Sequence, residues 1–296
     1  MPSAFQTIAL IGRFDDPRVA EAMLVLSEIA AQHAIRVLVD AASPVAFTAP
    51  VSRMPEPELI GHAQLLVAVG GDGSLLHVAR LAIGSEVPLL GINRGRLGFL
   101  ADISASEMRQ RFTQVISGEY TRDSRALLEA KLANPGEPLR RALALNDVVL
   151  QKQATGRMLD FETSIDGCFV NAHGGDGLVA ATSTGSTAYA LSCGGPILTP
   201  DVDALVLAPI SPHTLSDRPI VVSRRSQIEI RLVHSAPIQV QVVCDGVVLG
   251  DLATDGRLMI GPATEQVTLL HPPGYDYYRI LRTKLHWGRS ARHADP

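Results

Sequence analysis

The feature that most constrains the fold is a series of short, almost wholly apolar segments in the first 120 or so residues, each separated from the next by a stretch of helical periodicity. "TIALIG", "RVLVD", "QLLVAV" and "VPLLGI" show no polar–apolar alternation, so they predict strands covered on both faces, as in a parallel sheet. "DPRVAEAMLVLSEIAAQHA" and "SLLHVARLAI" lie between them and are amphipathic at the helical period, which predicts the crossover helices such a sheet needs. "SASEMRQRFTQVISG" predicts one further helix, opened by a Ser104–Glu107 capping box and ending near Gly118. This half reads as α/β.

After Thr121 the pattern changes. "RALLEAKL", "RRALALNDVVLQK", "MLDFETSIDGCFVNA", "DGLVAAT", "SQIEIRLV", "PIQVQVVCDGVVL" and "DGRLMIG" are short β-like segments separated by turn residues such as Asp166-Gly167 and Asp245-Gly246. The expected fold class is an α/β N-terminal domain joined to a mainly-β C-terminal domain. The expected divisions are 1–122, 123–270 and a tail at 271–296 that packs back on the first domain.

A chain of 296 residues, 46% hydrophobic and 19% charged, can bury a large core. Its formal charge of −4 argues against a broad nucleic-acid-binding face, so an anionic ligand must be held locally. The basic residues Arg279, Arg282, Lys284, Arg289 and Arg292 read as a solvated tail. The N-terminus lacks a basic segment followed by an apolar one, and no apolar run suffices to span a bilayer, which predicts a cytoplasmic protein without a membrane partner. Cys168, Cys193 and Cys244 are an odd set without a CxxC, so neither a disulfide framework nor a zinc site is indicated.

The tetrapeptide GGDG occurs twice, at Gly70–Gly73 and at Gly174–Gly177. The first lies between a buried strand and a helix, at the carboxyl end of a strand where open α/β sheets bind ligands. Glycines there let the backbone approach a phosphate, and the amides opening the helix supply donors. Asp72 would repel a phosphate unless it binds a metal or takes a proton from a nucleophile attacking phosphorus. The alternative is a tight turn with Asp72 capping the helix. A Walker loop is excluded, because the lysines are Lys131, Lys152 and Lys284. The second GGDG is followed by "TSTGSTAYALSCGGPILTP", a loop of small hydroxylated residues and glycine suited to close packing around a polar ligand.

Together "GGDGSLL", "GINRGRLGFL", "LNDVVL", "DGLVAATSTGSTAYALSCGGPILTP", "PHTLSDRP" and "TKLHW" resemble the bacterial NAD kinases over about residues 65 to 287. GGDG alone would also suit a lipid kinase of the diacylglycerol or sphingosine type, and the fold alone would suit a non-catalytic dinucleotide sensor. The resemblance implies a Rossmann-like first domain and transfer of the terminal phosphoryl group of ATP to the 2′-hydroxyl of the adenosine ribose of NAD. It implies Asp72 as general base, with Gly70, Gly71, Gly73, Ser74 and His77 at the phosphates. It places Asn146 and Asp147 on ribose hydroxyls and Arg157, Gly174, Asp176, Thr187, Ala188, Tyr189 and Ser192 at the dinucleotide. It further implies Mg²⁺ carried mainly on the ATP phosphates, no dedicated metal cluster, and a homodimer or homotetramer.

The chain departs from the family pattern at Ser183, where proline is usual and a looser turn would follow, at Val247, where glutamine is common, and at Ser74. The last leaves ATP and polyphosphate both open as donors. His213 is expected to be structural. Family members that prefer NAD carry a charged residue at the place of Gly174, so phosphorylation of NADH as well as NAD is expected. The second GGDG is then a chance spelling.

Overall fold

The computed structural model describes residues 3–13, 16–95, 98–153, 158–214, 216–233 and 239–286. The chain divides into two compact units, Met1–Ser124 with Val267–Pro296, and Arg125–Gln266.

In chain order the first unit begins with β1 (Thr7–Gly12), α1 (Pro17–Gln32), β2 (Arg36–Asp40), β3 (Val51–Met54), α2 (Glu56–His62), β4 (Leu65–Gly70), α3 (Asp72–Ala82), β5 (Leu89–Asn93) and α4 (Met108–Ile116). The sheet is parallel in the order β5-β4-β1-β2-β3. Four of its strands, β1, β2, β4 and β5, are apolar because both faces are covered: Ile8, Leu10, Val37, Val39, Leu65, Val67, Leu90 and Ile92 share one core with Met23 and Leu26 of α1 and Phe112 of α4, and Ala9, Leu38, Leu66 and Leu89 are buried on the other face. Each such buried Leu, Ile or Phe contributes about 1.5–3 kcal/mol.

Asp16 caps α1 by accepting from the Arg18 amide at 2.9 Å, with Pro17 preset for the first turn. The chain leaves β1 toward β2 and β3, then returns to the other side of β1 as β4. That reversal makes the crevice beyond Gly12 and Gly70 a topological switch point. The capping box at Ser104 and Glu107 does not form. Ser104 donates its hydroxyl to the Glu107 carboxylate at 2.8 Å, and α4 starts at Met108 without a side-chain cap.

The second unit continues with β6 (Thr121–Ala133), β7 (Arg140–Ala144), β8 (Asp147–Lys152), β9 (Leu159–Ile165), β10 (Cys168–Gly175), β11 (Gly177–Thr182), a 3₁₀ turn (Thr184–Thr187), α5 (Tyr189–Ser192), β12 (Ala204–Ile210), β13 (Ile220–Ser223), β14 (Ile228–Leu232), β15 (Val240–Cys244), β16 (Val247–Asp251) and β17 (Arg257–His271). One antiparallel sheet has the order β13-β12-β11-β8-β15-β16. In a second, β10, β9, β14 and the first part of β17 follow one another. Phe161 and Ile230 of this sheet share a core with Leu150, Leu178, Leu205 and Val242 of the other.

The last residues of β17 belong to the first unit, where Leu269 pairs in parallel with Leu89 of β5. α6 (Tyr277–Leu285) follows, capped by Asp276 accepting from the Tyr278 amide. In the same unit Arg111 of α4 donates to the Pro273 carbonyl at 2.7 Å, and Lys284 lies over the Phe99 ring.

Candidate functional site

The first GGDG lies at the switch point. Gly70 ends β4, Gly71 is the N-cap and Asp72 the first residue of α3. Gly70 has φ +154°, and a Cβ there would fall 2.2 Å from the Ser74 hydroxyl, so the turn itself requires glycine. Gly71 and Gly73 differ: an added Cβ at either meets nothing within 4 Å. Nothing in the folded chain demands glycine at these two places.

Gly70, Gly71 and Ser74 line a cavity of about 410 Å³, together with Arg13, Arg18 and Arg94. Asn93 also lines it; β5 delivers both Asn93 and Arg94 there, with the Arg94 amide donating to the Gly70 carbonyl at 2.7 Å. The Arg94 side chain is largely buried and fixed by donation to the Arg18 carbonyl at 2.8 Å. Asp16 lines the cavity too and holds the Arg18 guanidinium, with Nη2 2.8 Å from its Oδ2, so Arg13 and Arg94, beside a helix N-terminus and a bare glycine backbone, form the anion-receiving surface.

The Asp72 carboxylate turns toward the segment after β5. It accepts from the amides of Phe99 at 2.9 Å and of Leu100 and Ala101 at 3.0 Å each. Gly98 makes room for it, since a Cβ there would fall 2.0 Å from Asp72 Oδ1. His77 is not among the residues lining the cavity. Its Nε2 lies 2.9 Å from Glu56 of α2.

In the second unit, Leu145 and Asn146 interrupt what the sequence presents as one apolar run between β7 and β8. The Asp245 carboxylate accepts the amides of Leu145, Asn146 and Asp147 at 2.6, 2.8 and 3.1 Å, and the Asp245 amide donates to the Asp147 carbonyl at 3.0 Å. Asp245 takes φ +45° at the turn between β15 and β16 to do so. The Asn146 carbonyl accepts from the Thr182 amide at 2.9 Å and lies 2.0 Å from where a Gly185 Cβ would stand, so this loop requires glycine at 185.

The arrangement leaves the Asn146 Oδ1 buried and without a hydrogen bond among the described residues. Asp147 is buried beside it, and its carboxyl is pushed up to about 7, first by burial and then by the charge of Asp245, against one hydrogen bond from the Tyr189 amide.

Tyr189 opens α5 and is 40% exposed, so a flat group can reach it. Its phenol is raised above its ordinary value by burial, then by Cys193, Asp176 and Asp147, which shows how closely these groups gather. Asp176 stands between β10 and β11 and pairs with Lys152 at 2.7 Å, the main cause of its lowered carboxyl. Thr187 and Ala188 lead directly into Tyr189, and Ser192 is exposed at the end of the same short helix. Ser183 is not a loose substitute for proline: its hydroxyl donates to the Pro200 carbonyl at 3.1 Å, at φ −56°. Val247 is exposed beside the Asp245 turn, and the His213 amide donates to the Gly174 carbonyl at 2.9 Å. Arg157 lies outside the described residues.

The two GGDG segments have unlike surroundings. The first is a strand-to-helix turn, whereas Gly174 and Gly175 belong to β10 and Gly177 begins β11. Gly175 and Gly177 are pressed against backbone, with an added Cβ 2.9 Å from the Ile210 carbonyl and 1.9 Å from the Leu150 carbonyl respectively. Among the described residues no group of three or more His, Cys, Asp or Glu could hold a metal ion, and no helix is long and apolar enough to cross a membrane.

The sequence matches the model of the ATP-NAD kinase N-terminal domain over residues 8–120 and that of the C-terminal domain over residues 145–271. The chain is an enzyme of the ATP-NAD kinase family. It is 43% identical to an NAD kinase of Methylococcus capsulatus, covering 97% of this chain and 99% of that one. With an NAD kinase of Aromatoleum aromaticum it shares 42% identity, covering 99% and 97%.

Two solved structures have the same two-domain fold. Yeast NADH kinase complexed with NADH superposes with a TM-score of 0.87 at 27% identity, covering 96% of this chain and 89% of the other. An NAD kinase from Archaeoglobus fulgidus in complex with ATP gives 0.72 at 25% identity, covering 94% and 99%.

From the sequence alone Arg13, Arg94 and Lys152 carry no functional signal and Asp245 reads only as a turn residue, although Arg94 stands inside "GINRGRLGFL" and Asp245 inside "CDGVV". Only the folded chain brings them to their partners.

Proposed function

We propose that the chain transfers the terminal phosphoryl group of ATP to the 2′-hydroxyl of the adenosine ribose of NAD, and of NADH, releasing ADP and a proton. The observation that carries the reading is the buried, unbonded Oδ1 of Asn146 next to the Asp147 carboxylate. Adjacent acceptors of this kind suit the two neighbouring hydroxyls of a ribose, and an unbonded buried acceptor gains most from a donor supplied by a ligand. Tyr189 offers a face for a base, with Asp176, Thr187, Ala188 and Ser192 as the surrounding contacts.

In the first unit, Gly71 and Gly73 leave the backbone bare for phosphates, and Arg13 and Arg94 offset their charge. Ser74 at the same cavity suits either ATP or polyphosphate as donor. Asp72 is the general base: its carboxylate takes the proton of the 2′-hydroxyl as the new oxygen–phosphorus bond forms and the bond to ADP breaks. The three amides at 99–101 hold that carboxylate in one orientation. Mg²⁺ carried on the ATP phosphates would neutralise charge there. The family resemblance further supports a homodimer or homotetramer, which light scattering measures directly.

The test is NADP formation by the purified chain from NAD, and NADPH formation from NADH, with Mg-ATP or with polyphosphate as donor. No phosphorylated dinucleotide with either donor overturns the reading.

A further inference from the structure

Apart from both sets of residues above, the mainly-β unit holds a second pocket, of about 210 Å³. Leu178, Leu207 and Ile220 give it apolar walls, and His173, Asp217 and Thr163 give it polar groups. A cavity of about 150 Å³ with purely apolar walls takes up benzene, so this one has room for a single ring with a substituent.

The polar groups are fixed in place. His173 Nδ1 lies 2.7 Å from Asp217 Oδ2, with both side chains more than nine-tenths buried. The imidazole stacks on Phe161, with ring centroids 4.8 Å apart. Asn171 donates to the other Asp217 oxygen at 3.3 Å. A carboxylate can only accept, so Asp217 takes the hydrogen bond of the Nδ1 proton, and in the neutral imidazole the lone pair is then on Nε2. Nε2 makes no hydrogen bond among the described residues, and the hydroxyl of Thr163, a residue 1% exposed, has none either. Arg218 is the cation among the lining residues, and it is exposed, where water screens it. The neutral imidazole therefore offers an acceptor, the Thr163 hydroxyl can donate to a ligand oxygen, and the Asp217 carboxylate repels an anion.

We propose that this pocket is a binding site for a small neutral molecule with a single-ring apolar body and one O–H or N–H donor, which His173 Nε2 accepts. The site is independent of the kinase reading, and its test needs no turnover.

Phenol is the probe, and the readout is the side-chain nitrogen resonances of His173 in the full chain. Phenol should shift the Nε2 resonance saturably in the millimolar range, and toluene, which lacks the donor, should bind about tenfold more weakly. Thr163→Val keeps the shape and removes the unbonded hydroxyl. It should melt at the same or a higher temperature while phenol affinity falls about threefold or more. Val170→Trp fills the pocket from its exposed side and should abolish binding without unfolding the chain. An unmoved Nε2 resonance, phenol bound no better than toluene, or either variant binding phenol as the parent does overturns the proposal.

Discussion

Asp245 holds the Asp147 amide at 3.1 Å with one carboxylate oxygen while its own amide donates to the Asp147 carbonyl at 3.0 Å, so two acidic residues are locked to each other through their backbones. The bonds fix the loop, but the nearby charge adds to the burial that pushes the Asp147 carboxyl to about 7. That value lies above its ordinary 3.8, so between the two the folded chain keeps a proton that the unfolded chain has released. Stability therefore falls as pH rises from about 4 to 7, by up to roughly 4 kcal/mol, and the loss is complete above 7. Asp147→Asn should raise the melting temperature at pH 8 much more than at pH 4, while raising the KM for NAD about tenfold or more through the lost acceptor. Equal melting shifts at both pH values would show that Asp147 is ionised throughout.

Asp245→Asn separates the two effects. The amide has one accepting oxygen in place of two, so at least one of the three loop amides loses its partner, and the charge beside Asp147 disappears. The KM for NAD should rise. The acidic limb of the kcat/KM profile should move to lower pH, but not to the ordinary carboxyl value, because burial is the larger cause. An unmoved limb with a normal KM would reduce Asp245 to a turn residue.

The glycines of the first GGDG should divide in the same way. Gly70→Ala meets the Ser74 side chain and a left-handed φ, so it should destabilise the fold by about 1 kcal/mol or more. Gly71→Ala and Gly73→Ala meet nothing in the chain and should melt as the parent does. Their cost should appear as a higher KM for ATP, because the added methyl stands where a phosphate approaches. Unchanged ATP kinetics in both would remove the phosphate role from these two glycines.

What the sequence discloses and what it hides follow from the range of the interactions. β1, β2, β4 and β5 are readable because burial on both faces leaves an unbroken apolar run. β3 is short and partly polar, and Pro209 breaks the signal of the fully buried β12, so neither stands out. GGDG and "LND" are contiguous and can be recognised as motifs. The partners of Asp147 cannot: Asp245 lies 98 residues further on and reaches it only through the β8–β15 pairing. Arg13 and Arg94 converge on the first GGDG for the same reason, because β1 and β5 end beside β4 on one side of the sheet.

Asp72→Asn should lose about 10²-fold or more in turnover, the usual worth of a general base. The structural cost is separable. The amide can keep its oxygen toward Leu100 and Ala101, but then its NH₂ faces the Phe99 amide, donor against donor, at a cost of about 1–3 kcal/mol. A variant that is folded and bound to NAD yet almost inactive identifies the base. One with near-normal turnover and a lowered melting temperature assigns Asp72 to holding the 98–101 segment instead.

The last prediction concerns Gly174. An added Cβ there lies 3.1 Å from the Met158 Sδ and 3.3 Å from the Asp160 Oδ1, both ends of side chains that can move, and the residue is not in a left-handed conformation. Its neighbours Gly175 and Gly177 are pressed against backbone and could not be replaced so cheaply. Gly174 is therefore the one glycine of the second GGDG where a long side chain can enter without breaking the fold. We expect the parent enzyme to phosphorylate NADH as well as NAD. Gly174→Arg should lower kcat/KM for NADH more than for NAD, with the melting temperature little changed. Simple repulsion does not explain the direction, since a positive side chain would disfavour the cationic nicotinamide of NAD. The preference must come from shape and hydrogen bonding, with Asp160 close enough to pair with the new guanidinium. A strong preference for NAD in the unmodified chain would show that Gly174 does not set the specificity.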